Sequence, residues 1–394
     1  MRTIIILLLV ALLPIHEGRA KKRVITGDER TELYLPLING KRVALFSNQT
    51  GLVGTDHRHV LDLLVEKGVK VTAVFSPEHG FRGRADAGAV VGDEVDERTS
   101  IPILSLYGQN QKKNLGEKAI TLFDVLLVDI QDVGLRYYTY YITMCHLMDA
   151  CTKFGREVII LDRPNPNGHY VDGPILDMAL RSGVGHLPIP VVHGMTLGEL
   201  ACMAVGEKWL NEGNECKLTV VPCLNYTHQT HYDLPVAPSP NLPNMQSIYL
   251  YPSLCPFEGT VISMGRGTDK PFQQYGHPQM QACHSYSFTP QSVPGASRPV
   301  LMGQKCYGED LSALPYKKIW QQQMSLTYVI DAYRCLQKEG KADGFFTSFF
   351  DKLLGQTYVR EMIEKGYSEA EIRSRWKEEV EEFKQKRQKY LIYE

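Results

Sequence analysis

The chain lacks the short signatures that make many enzymes readable at sight. Its first strand candidate runs into Ser47-Asn-Gln-Thr-Gly51 and not into a Gly-x-Gly-x-x-Gly turn, so nothing supports a dinucleotide. No Gly-x-x-x-x-Gly-Lys-Ser/Thr phosphate loop, no Gly-x-Ser-x-Gly elbow and no His-Glu-x-x-His is present. Charge of one sign is equally scarce. Lys and Arg number 43 against 44 Asp and Glu, and a net −1 gives no electrostatic case for nucleic acid or an anionic membrane. No Cys-x-x-Cys occurs among nine cysteines. The missing Cys-x-x-Cys argues against structural zinc, and an odd number in a long chain argues against a disulfide scaffold, although an exported protein could hold one or two bridges. Cys145 and Cys151 fall on a helical pattern as core residues. No internal repeat or low-complexity tract is evident.

Long apolar runs are absent except at the start. Arg2 and Thr3 precede the apolar run 4–13, then Pro14 and a polar stretch ending at Ala20. A short positive region, about ten apolar residues and a small terminal residue form the pattern of a secretory signal peptide. The run is too short for a membrane span. With no cysteine near position 20, lipid attachment is not supported either. The expectation is a secreted or periplasmic protein with no membrane anchor after cleavage, and residues 1–20 are set aside from the fold.

The full chain, 43% hydrophobic and 22% charged, has ordinary globular composition, and its length suits one large domain and a smaller one. Strand patterns at 42–47, 69–75, 101–106, 123–130, 157–161 and 218–222 alternate with helical patterns at 57–67, 138–154 and 196–210. The run Phe123-Asp-Val-Leu-Leu-Val-Asp-Ile130 is nearly continuous in apolar residues, as a strand covered on both faces must be. Thr196-x-x-Glu199 opens its helix with a capping box. Strands alternating with helices predict an α/β fold, a Rossmann-like doubly wound parallel sheet over residues 21–278. The stretch 235–256, rich in Pro, Asn and Ser, reads as ordered loops over the strand ends. Residues 279–394 read as a smaller C-terminal α+β auxiliary domain, with helices at 326–338 and 369–389, closing one side of a cleft.

In such a sheet ligands bind at the carboxyl ends of the strands, and four polar loops are expected to converge there. The first carries Asn48 and Gln49. The second, Phe75-Ser-Pro-Glu-His-Gly-Phe-Arg-Gly83, sets Glu78 and His79 between Pro77 and Gly80, a carboxyl and an imidazole suited to proton transfer. The third contains Asp129, Asp132, Arg136 and Tyr138. Arg136 stands either to bind an anion or to pair with Asp132, and about half of the tyrosines around it are expected as packing. The fourth, Asp162-Arg-Pro-Asn-Pro-Asn-Gly168, presents Asp162, Arg163, Asn165 and Asn167. Carboxylates and amides in fixed geometry suit hydroxyl-rich ligands, while the alternative is an Asx-turn network serving its own backbone. A fifth cluster places Glu258 and Arg266 beside glycines that permit close backbone approach. His79, Asp129, Asp162 and His193 lack tight metal-ligand spacing, so no metal and no cofactor is expected.

With Ser76-Pro-Glu-His-Gly-Phe-Arg-Gly83, Asp162-Arg-Pro-Asn-Pro-Asn-Gly168 and Glu258-Gly-Thr…Gly265-Arg-Gly-Thr268 together, the chain resembles the exo-β-N-acetylmuramidases, bacterial glycoside hydrolases long catalogued as a domain of unknown function. The likeness runs over essentially the whole mature chain. It implies an exported hydrolase that releases N-acetylmuramic acid from the non-reducing end of peptidoglycan-derived glycans. It also implies a Rossmann-like domain, an auxiliary domain and a cleft between them, with Glu78 as the best catalytic candidate. Glycoside hydrolysis commonly uses two carboxyls. For the second group Asp129, Asp132 and Glu258 stand open, with Glu258 favoured and His79 or a loop carboxylate tuning Glu78. Arg136, Arg163 and Arg266 are candidates to grip the lactyl carboxylate. The competing readings are a periplasmic muropeptide- or sugar-binding protein without catalysis, and a metal-dependent hydrolase using the Asp/His set. The sequence leaves the oligomeric state open.

Overall fold

A computed structural model describes residues 22–77, 81, 93–106 and 117–394. The candidates Glu78 and His79, and the segment 1–20, lie outside these residues.

Twelve strands are present among the described residues: β1 (Arg42–Ser47), β2 (Leu52–Val53), β3 (Arg58–His59), β4 (Lys70–Ser76), β5 (Glu94–Val95), β6 (Pro102–Ser105), β7 (Val125–Asp129), β8 (Glu157–Leu161), β9 (Lys217–Val221), β10 (Gln274–His277), β11 (Tyr286–Phe288) and β12 (Cys306–Asp310). Seven of them form one sheet in the order β5-β6-β4-β1-β7-β8-β9. All its neighbours pair in parallel except β5, which runs antiparallel along the edge. Counting only the parallel strands, the order is 3-2-1-4-5-6, that of the Rossmann fold. The chain reverses its winding between β1 and β7, where Ser47 stands opposite Asp129.

Alternation within each strand explains the double winding. Val43 and Leu45 of β1 and Val125 and Leu127 of β7 enter one core, with the helices Thr31–Ile38 and Val60–Glu66 upon it. Ala44, Phe46, Leu126 and Val128 face the other, covered by Tyr140–Lys153 and Leu197–Gly206. Cys145 and Cys151 are buried there as expected. The capping box at Thr196 is formed, the Thr196 hydroxyl accepting from Glu199 N and the Glu199 carboxylate from Thr196 N.

This second core continues without a break into the C-terminal region, through Phe257, Tyr275, Phe350 and Trp376. That region holds a three-stranded antiparallel sheet, β10-β12-β11, and short helices. Its first strand, Gln274–His277, lies just upstream of position 278, where the sequence pattern was divided. Cys283 and Cys335 form a disulfide. The loop expectation for 235–256 is corrected, because residues Met245–Leu254 are helical. Asn244 caps that helix through Ser247 N, and burial of Ile248, Leu250 and Leu254 overrides the local composition. The helical pattern at 369–389 divides into Glu369–Ser374 and Lys377–Arg387.

The C-terminal region is also pinned to the sheet's carboxyl edge. The Tyr393 hydroxyl donates to Asp162 at 2.7 Å, and Ile392 N donates to Glu199 at 2.8 Å. Gly259 marks the tightest packing near the candidate site. A Cβ there would stand 2.3 Å from the backbone of Phe350 in the helix Ser348–Leu354. Gly259→Ala is therefore expected to lower stability by about 1–3 kcal/mol through overpacking, read as a smaller urea midpoint at unchanged slope.

Candidate functional site

The polar loops meet at the switch point, and much of their chemistry is spent on holding one another. Arg163, only 4% exposed, donates to Asp129 at 2.7 and 3.0 Å and to Asp28 at 2.7 Å. Burial opposes the charge of Arg163, but the two carboxylates beside it more than reverse that and hold it firmly protonated. Burial likewise raises Asp129, against the pull of Arg163. Asp28 is pushed up to about 7 by burial, with Arg163 opposing and Asp129 adding to the rise. One cation thus serves two carboxyls in the dry interior.

Asp162 accepts from the Thr196 hydroxyl, Gly198 N and Tyr393, and burial raises it to about 6. Asn165 Oδ1 accepts from Asn167 N at 2.8 Å, while Asn165 Nδ2 and Asn167 Nδ2 donate to the carbonyls of Met195 and Val133. The Asp162–Asn167 loop is therefore the Asx-turn network, and the expectation that its amides and Arg163 face ligand is corrected. These groups are already consumed by backbone and neighbouring charges. Arg136 is corrected as well. Its guanidinium is fully buried and donates to the carbonyls of Pro174, Ile189 and Leu353, reaching neither a cavity nor Asp132. Burial lowers it to about 10.

Asn48, fully buried, and Gln49 tie the first loop to its neighbours. Asn48 Oδ1 accepts from Thr50 N and Oγ1, and its Nδ2 donates to the Tyr140 hydroxyl at 3.0 Å. Gln49 Nε2 donates to the carbonyls of Ala237 and Pro238. Asp132 is different from its neighbours. One oxygen accepts from Gly134 N, while Oδ2 is buried and meets no donor among the described residues. Burial pushes it up to about 7, and the Gly134 and Val133 amides oppose this.

Beside these loops lies a cavity of about 210 Å³. Its walls are Tyr137, Tyr138, Tyr140, Tyr251, Phe272 and Phe349, and its polar groups include Ser239, Asn241, Glu258 and Arg266. Mostly aromatic walls with a few convergent polar groups are the ordinary make-up of a small-molecule site. Glu258 and Arg266 pair at 2.6 Å, with side chains 22% and 26% exposed. The guanidinium lies over the Phe272 ring at 5.3 Å. Glu258 sits in the short helix Cys255–Gly259, fixed by the close contact at Gly259, and Arg266 follows Gly265 at φ +84°, a backbone turn open to glycine. Of the expected site residues, then, Glu258, Arg266 and Tyr138 line the cavity. Asp132, Arg163 and Asn165 line a second, very small cavity between the loops after β7 and β8.

Sequence reading missed Asp28, which lies far upstream of its partner Arg163. It also missed the walls formed by Tyr251, Phe272 and Phe349, whose apolar character reads only as core. Among the described residues no group of His, Cys, Asp and Glu could hold a metal ion, and no helix is long and apolar enough to cross a membrane. His193 is buried apart from Asp129 and Asp162, its Nδ1 accepting from Met195 N.

Fold and cavity together define an α/β protein with an aromatic-walled cavity beside the loops at the carboxyl edge of its sheet. Comparison with known proteins narrows this. The family models "Exo-beta-N-acetylmuramidase NamZ, N-terminal" and "C-terminal" match residues 43–246 and 249–393. The chain is 37% identical over 395 residues to the peptidoglycan β-N-acetylmuramidase NamZ of Bacillus subtilis, covering 96% of this chain and 93% of that protein. Two crystal structures of DUF1343 family proteins from Bacteroides fragilis share the fold. BF0379 superposes with a TM-score of 0.87 at 55% identity, covering 95% of this chain and 99% of that one. BF0371 has a TM-score of 0.79 at 27% identity, covering 94% and 99%. The chain belongs to the exo-β-N-acetylmuramidase NamZ family.

The position of Asp132 has a pH signature. Its folded pKa is raised to about 7, above roughly 3.9 in an unfolded chain. Between these values the folded state keeps a proton that the unfolded state has lost, so stability falls as pH rises from about 4 to about 7. Asp132→Asn should flatten that decline in urea midpoints across this window. A residual slope is expected because Asp28 and Asp162 are shifted in the same direction.

Proposed function

We propose that this chain is an exported exo-β-N-acetylmuramidase, releasing N-acetylmuramic acid from the non-reducing end of peptidoglycan-derived glycans. The observation that carries the reading is the cavity itself, in a chain of this family: aromatic walls beside one carboxylate and one guanidinium. Flat aromatic faces pack against the C–H faces of a sugar ring, and convergent polar groups fix its orientation. Export rests on the pattern of residues 1–20. The Cys283–Cys335 disulfide is in keeping with an oxidising compartment.

Hydrolysis of a glycosidic bond calls for a carboxylic acid that protonates the leaving oxygen and a second group on the opposite face of the sugar. Glu78 takes the first role in this reading. It follows the end of β4 by two residues, and β4 runs parallel to β1 with Phe75 opposite Phe46. The strand before Glu78 therefore ends at the same sheet edge as the loops around Asn48 and Asp129. Glu258 takes the second role, since a carboxylate paired with a guanidinium is suited to stabilising or attacking and not to giving a proton. Arg266 grips the lactyl carboxylate. A guanidinium has five N–H groups in a plane, so it can hold Glu258 along one edge and a second anion along another.

The direct test is incubation with a muramyl–glucosaminyl disaccharide beside a chromogenic glucosaminide. Cleavage of the first and not the second is expected, whereas recovery of intact, bound disaccharide would make the protein a binding module. Glu78→Gln should reduce kcat by at least about a hundredfold while KM stays near that of the parent. Near-parental kcat removes Glu78 from the mechanism. Arg266→Ala should weaken muramyl substrates by roughly tenfold or more and glucosaminyl analogues much less. Equal losses on both would show that Arg266 does not contact the lactyl group.

A further inference from the structure

One side-chain amide on the cavity wall is anchored from behind. Asn241 belongs to the turn 239–242, in which Leu242 N donates to Ser239 O at 3.0 Å and Asn241 N to Ser239 Oγ at 3.2 Å. Its Nδ2 donates to the carbonyl of Gly295 at 2.9 Å. That carbonyl comes from a second turn, 293–296, where Val293 N and Ala296 N each donate to the other's carbonyl at 3.2 and 3.0 Å. Gly295 adopts φ +85° there, and a Cβ on it would stand 2.5 Å from Pro240 Cβ. Glycine lets the two turns approach closely enough for the contact to form.

A carbonyl takes a hydrogen bond only from a donor, so this contact fixes how the amide lies. The NH2 group of Asn241 faces Gly295, and Oδ1 faces away from it. The residue is 5% exposed and lines the cavity. Its bonds leave from N and Nδ2, and Oδ1 meets no donor among the described residues. Unlike Asp132 Oδ2, this oxygen is not shut off from the space around it. Glu258, another acceptor on the same wall, is engaged with Arg266 at 2.6 Å. Asn241 Oδ1 is thus an acceptor already held in one orientation, which spares a ligand the cost of ordering it.

An N-acetylmuramic acid ring carries hydroxyl groups and one amide N–H. A hydroxyl both donates and accepts, so it can turn to whichever partner is near, whereas the N–H can only donate. Enclosed between aromatic rings without an acceptor, it would lose its hydration and stay unpaired. We propose that Asn241 Oδ1 accepts from the N–H of the sugar's 2-acetamido group, making Asn241 a specificity-determining residue for amide-bearing sugars. The proposal rests on the cavity being the sugar site, as inferred above.

The test measures competitive inhibition of disaccharide cleavage by N-acetylmuramic acid and by its 2-O-acetyl analogue, in which an ester oxygen replaces the N–H. On the parent protein the analogue's Ki should be higher by about three- to tenfold, the size of one hydrogen bond. Equal values overturn the proposal. On Asn241→Ala the ratio of the two Ki values should fall towards one. An unchanged ratio also overturns the proposal, because a merely structural loss weakens both inhibitors together. Should Asn241→Ala fail to fold, Asn241→Leu takes its place, filling similar space without the amide. Failure of the functional reading looks different, since the parent then cleaves no muramyl–glucosaminyl disaccharide.

Discussion

The arrangement at the switch point depends on a single buried cation. Arg163 joins Asp28 from the N-terminal segment, Asp129 from the end of β7 and its own loop after β8. These residues come from three separate parts of the chain, and each is nearly or wholly removed from water. Charges in such a place are costly unless paired, and removing one partner typically costs about 3–5 kcal/mol because the others are left uncompensated. The triad therefore ties the N-terminal segment and two strand ends into one unit. Asp162, the residue before Arg163, extends the tie to the C-terminal tail through Tyr393.

Around the switch point, then, polar residues act as architecture. Arg136 spends its guanidinium on three carbonyls, Asn165 and Asn167 close their own loop, and Asp162 caps the helix Leu197–Gly206. An unpaired polar group in the interior would lose its hydration without return, so each finds a partner. Some atoms remain unmet among the described residues, Asp132 Oδ2, Arg136 Nε and His193 Nε2 among them. The groups that line open space come largely from elsewhere. Glu258 and Arg266 lie beyond the sheet in sequence, and Tyr138 and Tyr140 stand where the loop after β7 enters its helix. A rigid sheet edge carries the wall, and a segment from the C-terminal half brings the charges to it.

Such a division explains which candidates line the cavity and which do not. Glu258 and Arg266 stood out in the sequence because a charged pair beside Gly259 and Gly265 has little reason to exist in a plain core segment. Arg136 and Arg163 looked equally promising, since a sequence does not reveal whether a guanidinium will meet a ligand or a carbonyl. The aromatic wall was hidden for the opposite reason. Tyr251 and Phe272 have the same pattern whether they pack against another ring or face a cavity.

By itself the sequence determined the sheet and its winding, because strand and helix periods are local and a strand buried on both faces must be apolar throughout. It also determined the family, through three motifs each confined to about ten residues of chain. Only the tertiary structure decided which charges were used up inside and which reached the cavity. That outcome turns on burial and on partners more than a hundred residues away, as between Asp28 and Arg163, and such pairings leave no trace in local spacing.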